Sequence, residues 1–238
     1  MKVIKSIVIL LIVLGIAYGA YYLTFQSDLL KITAINYNPN EALDIYELQR
    51  YSGIHYGDHI FAISAEEAAK TLTTHPYVRS ATVVKKFPGT VNIDIVYREH
   101  YMSIRYSDII LSLDNTLQVL KVLDDVDGGF VVDGMHFNAF STGKTIEVDA
   151  YYVLENIVKL IDLIKQSDLS VDQTITYSDN SIIITCSGIK VNFGDGENIE
   201  SRFNKFISIF QSLNDSGIQS GIIDVSSDGL PVYRPFGE

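Results

Sequence analysis

Between Lys5 and Asp28 the chain carries no charged side chain, and "SIVILLIVLGIAYGAYYLTFQS" is a nearly unbroken apolar run. About 20 such residues, wound as a helix, cross the hydrocarbon core of a bilayer. Residues 6–27 therefore read as a transmembrane helix, with residues 1–5 as a short cytoplasmic tail. Tyr18, Tyr21 and Tyr22 crowd the far end of the run, where aromatic rings settle at a membrane–water interface. Lys2 and Lys5 before the run, and acids after it, favour an N-terminus in the cytoplasm and a C-terminus outside. The competing reading is a cleaved signal peptide, with Ile7–Ile16 as its apolar region and Ala17-Tyr18-Gly19 as a small-x-small site. The apolar character continues through Leu23, and that length favours an uncleaved anchor. Five residues are too few to fold, so function is expected in the part that follows.

That part is acidic. Of 18 lysines and arginines two precede Asp28, leaving 16 against 29 aspartates and glutamates, a net of −13. Proteins that hold nucleic acid do so with basic surfaces, because phosphate contacts supply most of the affinity. Polyanions are therefore poor partners for this chain. Its single cysteine excludes a disulfide framework and a cysteine-based zinc site. Cys186 lies in "SIIITCSG", an apolar, β-prone setting that suits a buried structural thiol.

Beyond the apolar run, "KITAINYN" alternates as a strand, with Ile32, Ala34 and Ile35 toward a core. In "LDIYELQRYSGI", Asp44 and Glu47 form a capping box and Gly53 a stop; in "ISAEEAAKTLTTHP", Ser64 and Glu67 repeat the box and Pro76 forbids continuation. Two strands follow. Val78, Ala81, Val83 and Val84 mark one, Val91, Ile93, Ile95 and Val96 the other. "FPGT" lies between them, with Pro88-Gly89 suited to a type II turn. Strand, helix, helix, strand, strand over residues 28–99 is a small α+β unit whose two helices can cover one face of its sheet.

Residues 100–238 predict a larger mixed α/β domain with an antiparallel-rich sheet and two main helices. "SIRYSDIILSLDNTLQVLKV" reads as strands joined by a tight Asp114-Asn115 turn, and residues 125–129 and 141–144 as loops. "DAYYVLENIVKLIDLIKQSD" has the helical stripe Val153, Leu154, Ile157, Val158, Leu160, Ile161 and Ile164, with Asp149 as its cap. Strands are expected near 174–177, 181–186 and 189–193. A second helix buries Ile199, Phe203, Phe206, Ile207, Phe210 and Leu213 and stops at Gly217. A terminal strand runs from Gly221 to Ser226 and onward toward Tyr233. No linker composition separates the two units, so a strand over 98–106 is expected to run from one into the other.

At this point the residues resemble a family. "YSGIHYGDHIFAIS" is similar to the "i-x-x-G-x-x-i-f-x-l" run of the POTRA domain in the bacterial division proteins FtsQ and DivIB. In "HPYVRSATVVKKFPGTVNIDIVYRE", Pro76, Tyr77, Val78, Ala81, Val83, Pro88, Thr90, Ile93, Ile95 and Arg98 fall at the spacing of that family's strand pair. The segment "VNFGDGENIESRFNKFISIF…GIIDVSSDGLPVYRP" resembles the family's C-terminal region. There are departures: Tyr97 and His100 for a Glu and a Pro, Asn38-Pro39-Asn40 for a Gly-Asn turn, and Thr116 for a Gly. The resemblance implies a divisome scaffold at the septum. Its implied partners are the small bitopic coiled-coil proteins FtsB/DivIC and FtsL, and further the septal peptidoglycan synthesis proteins. It also implies that the terminal region binds them, at Ile222, Ser226, Ser227, Leu230, Val232 and Tyr233. An edge strand in "GIIDV" would offer unpaired backbone groups to a partner. The alternative reading of the same segment is an interior strand paired on both sides.

Nothing in the sequence assembles an enzyme. His55 and His59, with Asp58, could hold a metal, but neither an H-E-x-x-H nor a tetrahedral ligand spacing is present. Asp195 and Glu197 in "FGDGENIE" lack the ligand set of a calcium loop, and Asn198 as a helix cap explains the same letters. No P-loop, dinucleotide fingerprint or nucleophile elbow occurs. The expectation is a binding protein without cofactor, metal or catalytic residues. A different class, a POTRA-bearing export component that binds extended polypeptides, would ordinarily continue into a β-barrel, and the two helical stripes after residue 150 do not.

Overall fold

The computed structural model of the protein describes residues 2–25, 28–126 and 128–236. It opens with α1 (Lys2–Phe25), one helix of 24 residues that is about 36 Å long at the α-helical rise. Its described apolar side chains are exposed along its length, Ile7, Leu10, Leu14 and Tyr21 among them. Among the described residues no helix is long and apolar enough to cross a membrane. The α1 sequence itself carries no charge after Lys5. Beyond it the chain divides into two compact units, with the boundary between Arg98 and Glu99.

The first unit has the order β1 (Ala34–Tyr37), α2 (Ile45–Ser52), α3 (Ala65–Leu72), β2 (Val78–Lys86), β3 (Thr90–Tyr97). Both helices start as their letters dictate: Asp44 accepts from the Glu47 amide and Ser64 from the Glu67 amide. Gly53 ends α2 in the left-handed conformation that glycine adopts without steric cost. The sheet order is β1-β3-β2, with β1 parallel and β2 antiparallel to β3. Leu43, Leu48, Ile54, Ile60, Leu72, Val78, Val91 and Ile93 form a core from which water is excluded. Each such side chain contributes about 1.5–3 kcal/mol of burial.

Two of the departures noted in the sequence meet here. The Asn38 side chain extends β1 by one residue, donating to the Ile95 carbonyl at 2.7 Å and accepting from its amide at 2.8 Å. The Tyr97 hydroxyl then donates to the Asn38 carbonyl at 2.8 Å. The turn between β2 and β3 differs from expectation. The Phe87–Pro88 peptide is cis and Gly89 is not in the positive-φ region, so it is not a type II turn. Gly89 is fixed by crowding instead, since a Cβ there would lie 2.3 Å from the Lys31 carbonyl oxygen.

The second unit comprises β4 (Met102–Tyr106), β5 (Ile109–Leu113), β6 (Val119–Leu123), β7 (Phe130–Asp133), β8 (Phe137–Ala139), β9 (Glu147–Val148), α4 (Tyr151–Gln166), β10 (Thr174–Ser178), β11 (Ser181–Cys186), β12 (Ile189–Asn192), α5 (Ile199–Asp215), β13 (Gly221–Asp224) and β14 (Val232–Arg234). Nine strands form one mixed sheet, in the order β14-β13-β12-β11-β10-β7-β4-β5-β6. Five of its eight pairings are antiparallel. Ile104, Val132, Ile175, Ile184, Val191 and Ile223 line the face that packs with the apolar stripes of α4 and α5 into one core. Cys186 is in that core, and burial pushes its thiol up.

Three local expectations are corrected. No strand runs through the boundary: β3 ends at Tyr97 and β4 begins at Met102. Ala150, not Asp149, is the N-cap of α4, and no side chain caps it. Asn198 does precede α5, but in the left-handed conformation and without a capping hydrogen bond. The Asp114 turn is more elaborate than a two-residue link. The buried Asp114 carboxylate accepts from the amides of Thr116 and Gln118, both at 2.9 Å, and from the Thr116 hydroxyl.

Candidate functional site

The terminal strand region is not built as its apolar letters suggest. β13 pairs with β12 in parallel on one side and with β14 in antiparallel on the other, so "GIID" is interior. The strand expected to form the edge is therefore covered, and the edge is β14, only three residues long. Beyond β14 no strand lies alongside among the described residues, which leaves half of its backbone groups without a ladder partner.

Register sorts the six candidate residues. Ile223 is opposite Tyr233, and both face the helices, Tyr233 packing against the core. Ile222 pairs with Arg234 and Asp224 with Val232, so these four face the opposite side. That side continues across the sheet as a row: Val232, Asp224, Asn192, Ile183, Thr176, Asp133, Arg105. Arg105 and Asp133 close on each other as a two-pronged ion pair at 2.8 and 2.6 Å. The structure thus brings Ile222 and Val232 together on the open face, and it places Tyr233 on the other. Ser226, Ser227 and Leu230 belong to neither face; they lie in the loop from β13 to β14, where Leu230 is 88% exposed.

Residues that sequence reasoning passed over hold this region in shape. Lys205, half-buried on α5, donates to the carbonyls of Ser227, Asp228 and Gly229 at 3.4, 2.9 and 2.9 Å. Asp224 accepts from the Ser226 amide and hydroxyl at 3.0 and 2.6 Å, and its second oxygen meets Arg234 at 3.3 Å. The Tyr233 hydroxyl donates to the Ser220 carbonyl at 2.7 Å. Gly221 has φ +139°, and a Cβ there would stand 2.5 Å from the Tyr233 ring and 2.7 Å from the Arg234 carbonyl oxygen. The only sequence signal for this last contact is a glycine inside a strand pattern, which marks close approach of another chain segment.

Near the start of α5, Arg202 is buried and donates to the Phe193 carbonyl at 2.6 Å and to Asp195 at 2.8 Å. The Glu197 amide and then Arg202 hold the Asp195 carboxyl below its usual range. Asp195 is thus taken up by a structural ion pair. No cluster of three or more histidine, cysteine or acidic side chains suited to a metal occurs among the described residues. His55 and Asp58 engage each other locally, the His55 amide donating to the Asp58 carboxylate at 2.8 Å. What the C-terminal edge can do chemically is accept a strand or an apolar segment. Its loop is held by Lys205, Leu230 and Val232 are its exposed apolar contacts, and its backbone is open on one side.

The fold defines a class: a POTRA-bearing protein with a second, sheet-based unit. Residues 30–98 match the model of the POTRA domain, FtsQ-type. Over most of its length the chain is similar to named division proteins. It is 24% identical to the cell division protein DivIB of Clostridium tetani, over 88% of this chain and 81% of that protein. With DivIB of Clostridium botulinum (strain Loch Maree) it shares 26% identity, over 98% of this chain and 91% of that one. The cell division protein FtsQ of Syntrophotalea carbinolica is 25% identical, over 89% and 75%. The first unit thus carries a POTRA domain of the FtsQ type, and similarity to DivIB and FtsQ proteins extends over most of the chain.

Proposed function

We propose that this protein is a divisome scaffold, tethered by α1, that recruits and stabilises septal division proteins through its two folded units. The observation that carries this reading is the extent of the similarity. It runs through both units and not the POTRA domain alone, and the relatives that share it are cell division proteins. Binding free energy, not bond-making, is then the output. The stretch of α1 after Lys5, which carries no charge, supports an N-terminal membrane anchor with the two units outside the cell membrane. The open edge of β14, with Leu230 and Val232 beside it, is the proposed docking place for small single-pass coiled-coil partners of the FtsB/DivIC and FtsL type.

The test is recovery of partners on the full chain from its own cell membranes, with Leu230→Ser plus Val232→Ser against the unaltered chain. Leu230 is 88% and Val232 49% exposed, so the fold should tolerate the change. Covering them in an interface is worth on the order of 2–3 kcal/mol together, roughly a hundredfold in affinity. Loss of the division partners in the double variant, and not in Val122→Ser at the opposite edge, supports the reading. Undiminished recovery removes the site, and recovery of exported chains in place of division proteins removes the function.

A further inference from the structure

The first unit carries an exposed aromatic lip that the division reading does not use. Phe61 and Phe87 stack with ring centroids 5.1 Å apart, yet they remain 52% and 59% exposed. Leu29 and Tyr56, also more than half exposed, lie in the neighbouring segments. Surface phenylalanines scattered singly need no explanation, but two in contact with each other and open to solvent form a patch with something to cover it.

Where this patch sits indicates what covers it. The segment that follows α1 is stitched to both halves of the lip by backbone hydrogen bonds. On one side the Ile60 amide donates to the Leu30 carbonyl at 2.9 Å, and the Ile32 amide to the Asp58 carbonyl at 2.8 Å. On the other the Thr33 amide donates to the Gly89 carbonyl at 2.8 Å, and Gly89 lies against the Lys31 carbonyl without room for a side chain. Phe61 and Phe87 are thus each within two residues of a contact to Leu30–Thr33. Leu30 is five residues from the end of α1, at most about 18 Å of extended chain. With α1 spanning a bilayer, this short tether keeps the Leu30–Thr33 segment, and the lip beside it, close to the membrane surface.

We propose that Phe61 and Phe87 form a membrane-docking lip, which inserts into the lipid headgroup layer beside the anchor and sets the first unit down on the bilayer. The occupant is the lipid interface itself. Aromatic and aliphatic side chains partition to that layer, and Lys86, exposed at the foot of the hairpin, suits its anionic headgroups. The proposal rests on α1 being an anchor. It goes beyond the scaffold reading because it gives the first unit a lipid contact of its own.

The chain has no tryptophan, which makes a clean test available. Single variants Phe87→Trp, Phe61→Trp, Tyr22→Trp and Leu230→Trp of the full chain are reconstituted into phosphatidylethanolamine–phosphatidylglycerol vesicles containing phospholipids brominated at shallow or deep acyl positions. The expected result is blue-shifted emission for Phe87→Trp and Phe61→Trp, quenched severalfold more by shallow than by deep bromines, with Leu230→Trp red-shifted and unquenched. Quenching at Tyr22→Trp with none at Phe87→Trp and Phe61→Trp would leave the anchor standing and overturn the lip. No quenching at any of the first three positions would overturn both.

Discussion

Replacing Gly221 by alanine should detach β14 and leave the rest of the second unit folded. A side chain at φ +139° costs on the order of 1–3 kcal/mol of backbone strain wherever it is accommodated. Here the new Cβ also meets the Tyr233 ring at 2.5 Å and the Arg234 carbonyl at 2.7 Å, and both belong to β14. What holds β14 is modest. It has three register pairs with β13, the Tyr233–Ser220 hydrogen bond and a largely exposed Arg234–Asp224 contact. At about 1 kcal/mol per hydrogen bond and less for the exposed ion pair, the gross gain is about 4 kcal/mol. Ordering three residues costs about 1–2 kcal/mol each, so the net hold is small and the strain exceeds it. Amide hydrogen exchange reads this directly: residues 232–234 lose protection, β12 keeps its own, and the melting temperature falls by only a few degrees. Capture of division partners should fall in parallel, as for Leu230→Ser plus Val232→Ser. If β14 stays protected in Gly221→Ala, or if the whole unit melts ten or more degrees lower, the strand is not the weakly held edge described above.

Three further outcomes are expected. Lys205→Met removes the donor to three loop carbonyls and should weaken partner capture severalfold with little change in melting temperature, because the loop it orders is exposed; an unchanged affinity would make the clamp irrelevant. Arg202→Met should destabilise the second unit by about 2–3 kcal/mol, less than a fully buried pair because Asp195 can hydrate, and should raise the Asp195 pKa in NMR titration. His75 is buried against Tyr51, and burial holds its imidazole below the ordinary value despite Glu47 at 3.6 Å. The unfolded chain therefore takes up the proton first. Stability of the first unit should be full above about pH 6.5 and decline as pH falls below it, seen as a falling urea midpoint that His75→Gln flattens.

How far the letters go depends on the range over which each element is decided. These three caps of the first unit are legible because Asp44, Ser64 and Gly53 act within three or four residues of themselves. The α4 and α5 stripes are legible for the same reason, periodicity being local. β7 (Phe130–Asp133) and the β8–β9 pair are too short to show a period, and they take their place only through pairing with strands distant in the chain. The choice of edge strand turns on that same point. "GIIDV" is as apolar as an edge docking strand or as an interior one, and only the return of "VYR" beside it decides between them. That return depends on the bare Cα of Gly221 beneath Tyr233, so a residue that lets β14 form the edge is one with no side chain to announce it. The same holds for the aromatic lip. Phe61 and Phe87 are 26 positions apart, and what joins them is the backbone of Leu30–Thr33 running between their loops. In both units, then, the exposed surface available to a partner is set by where a short segment after a helix or turn is laid against a strand, and hydrophobic pattern alone does not report that.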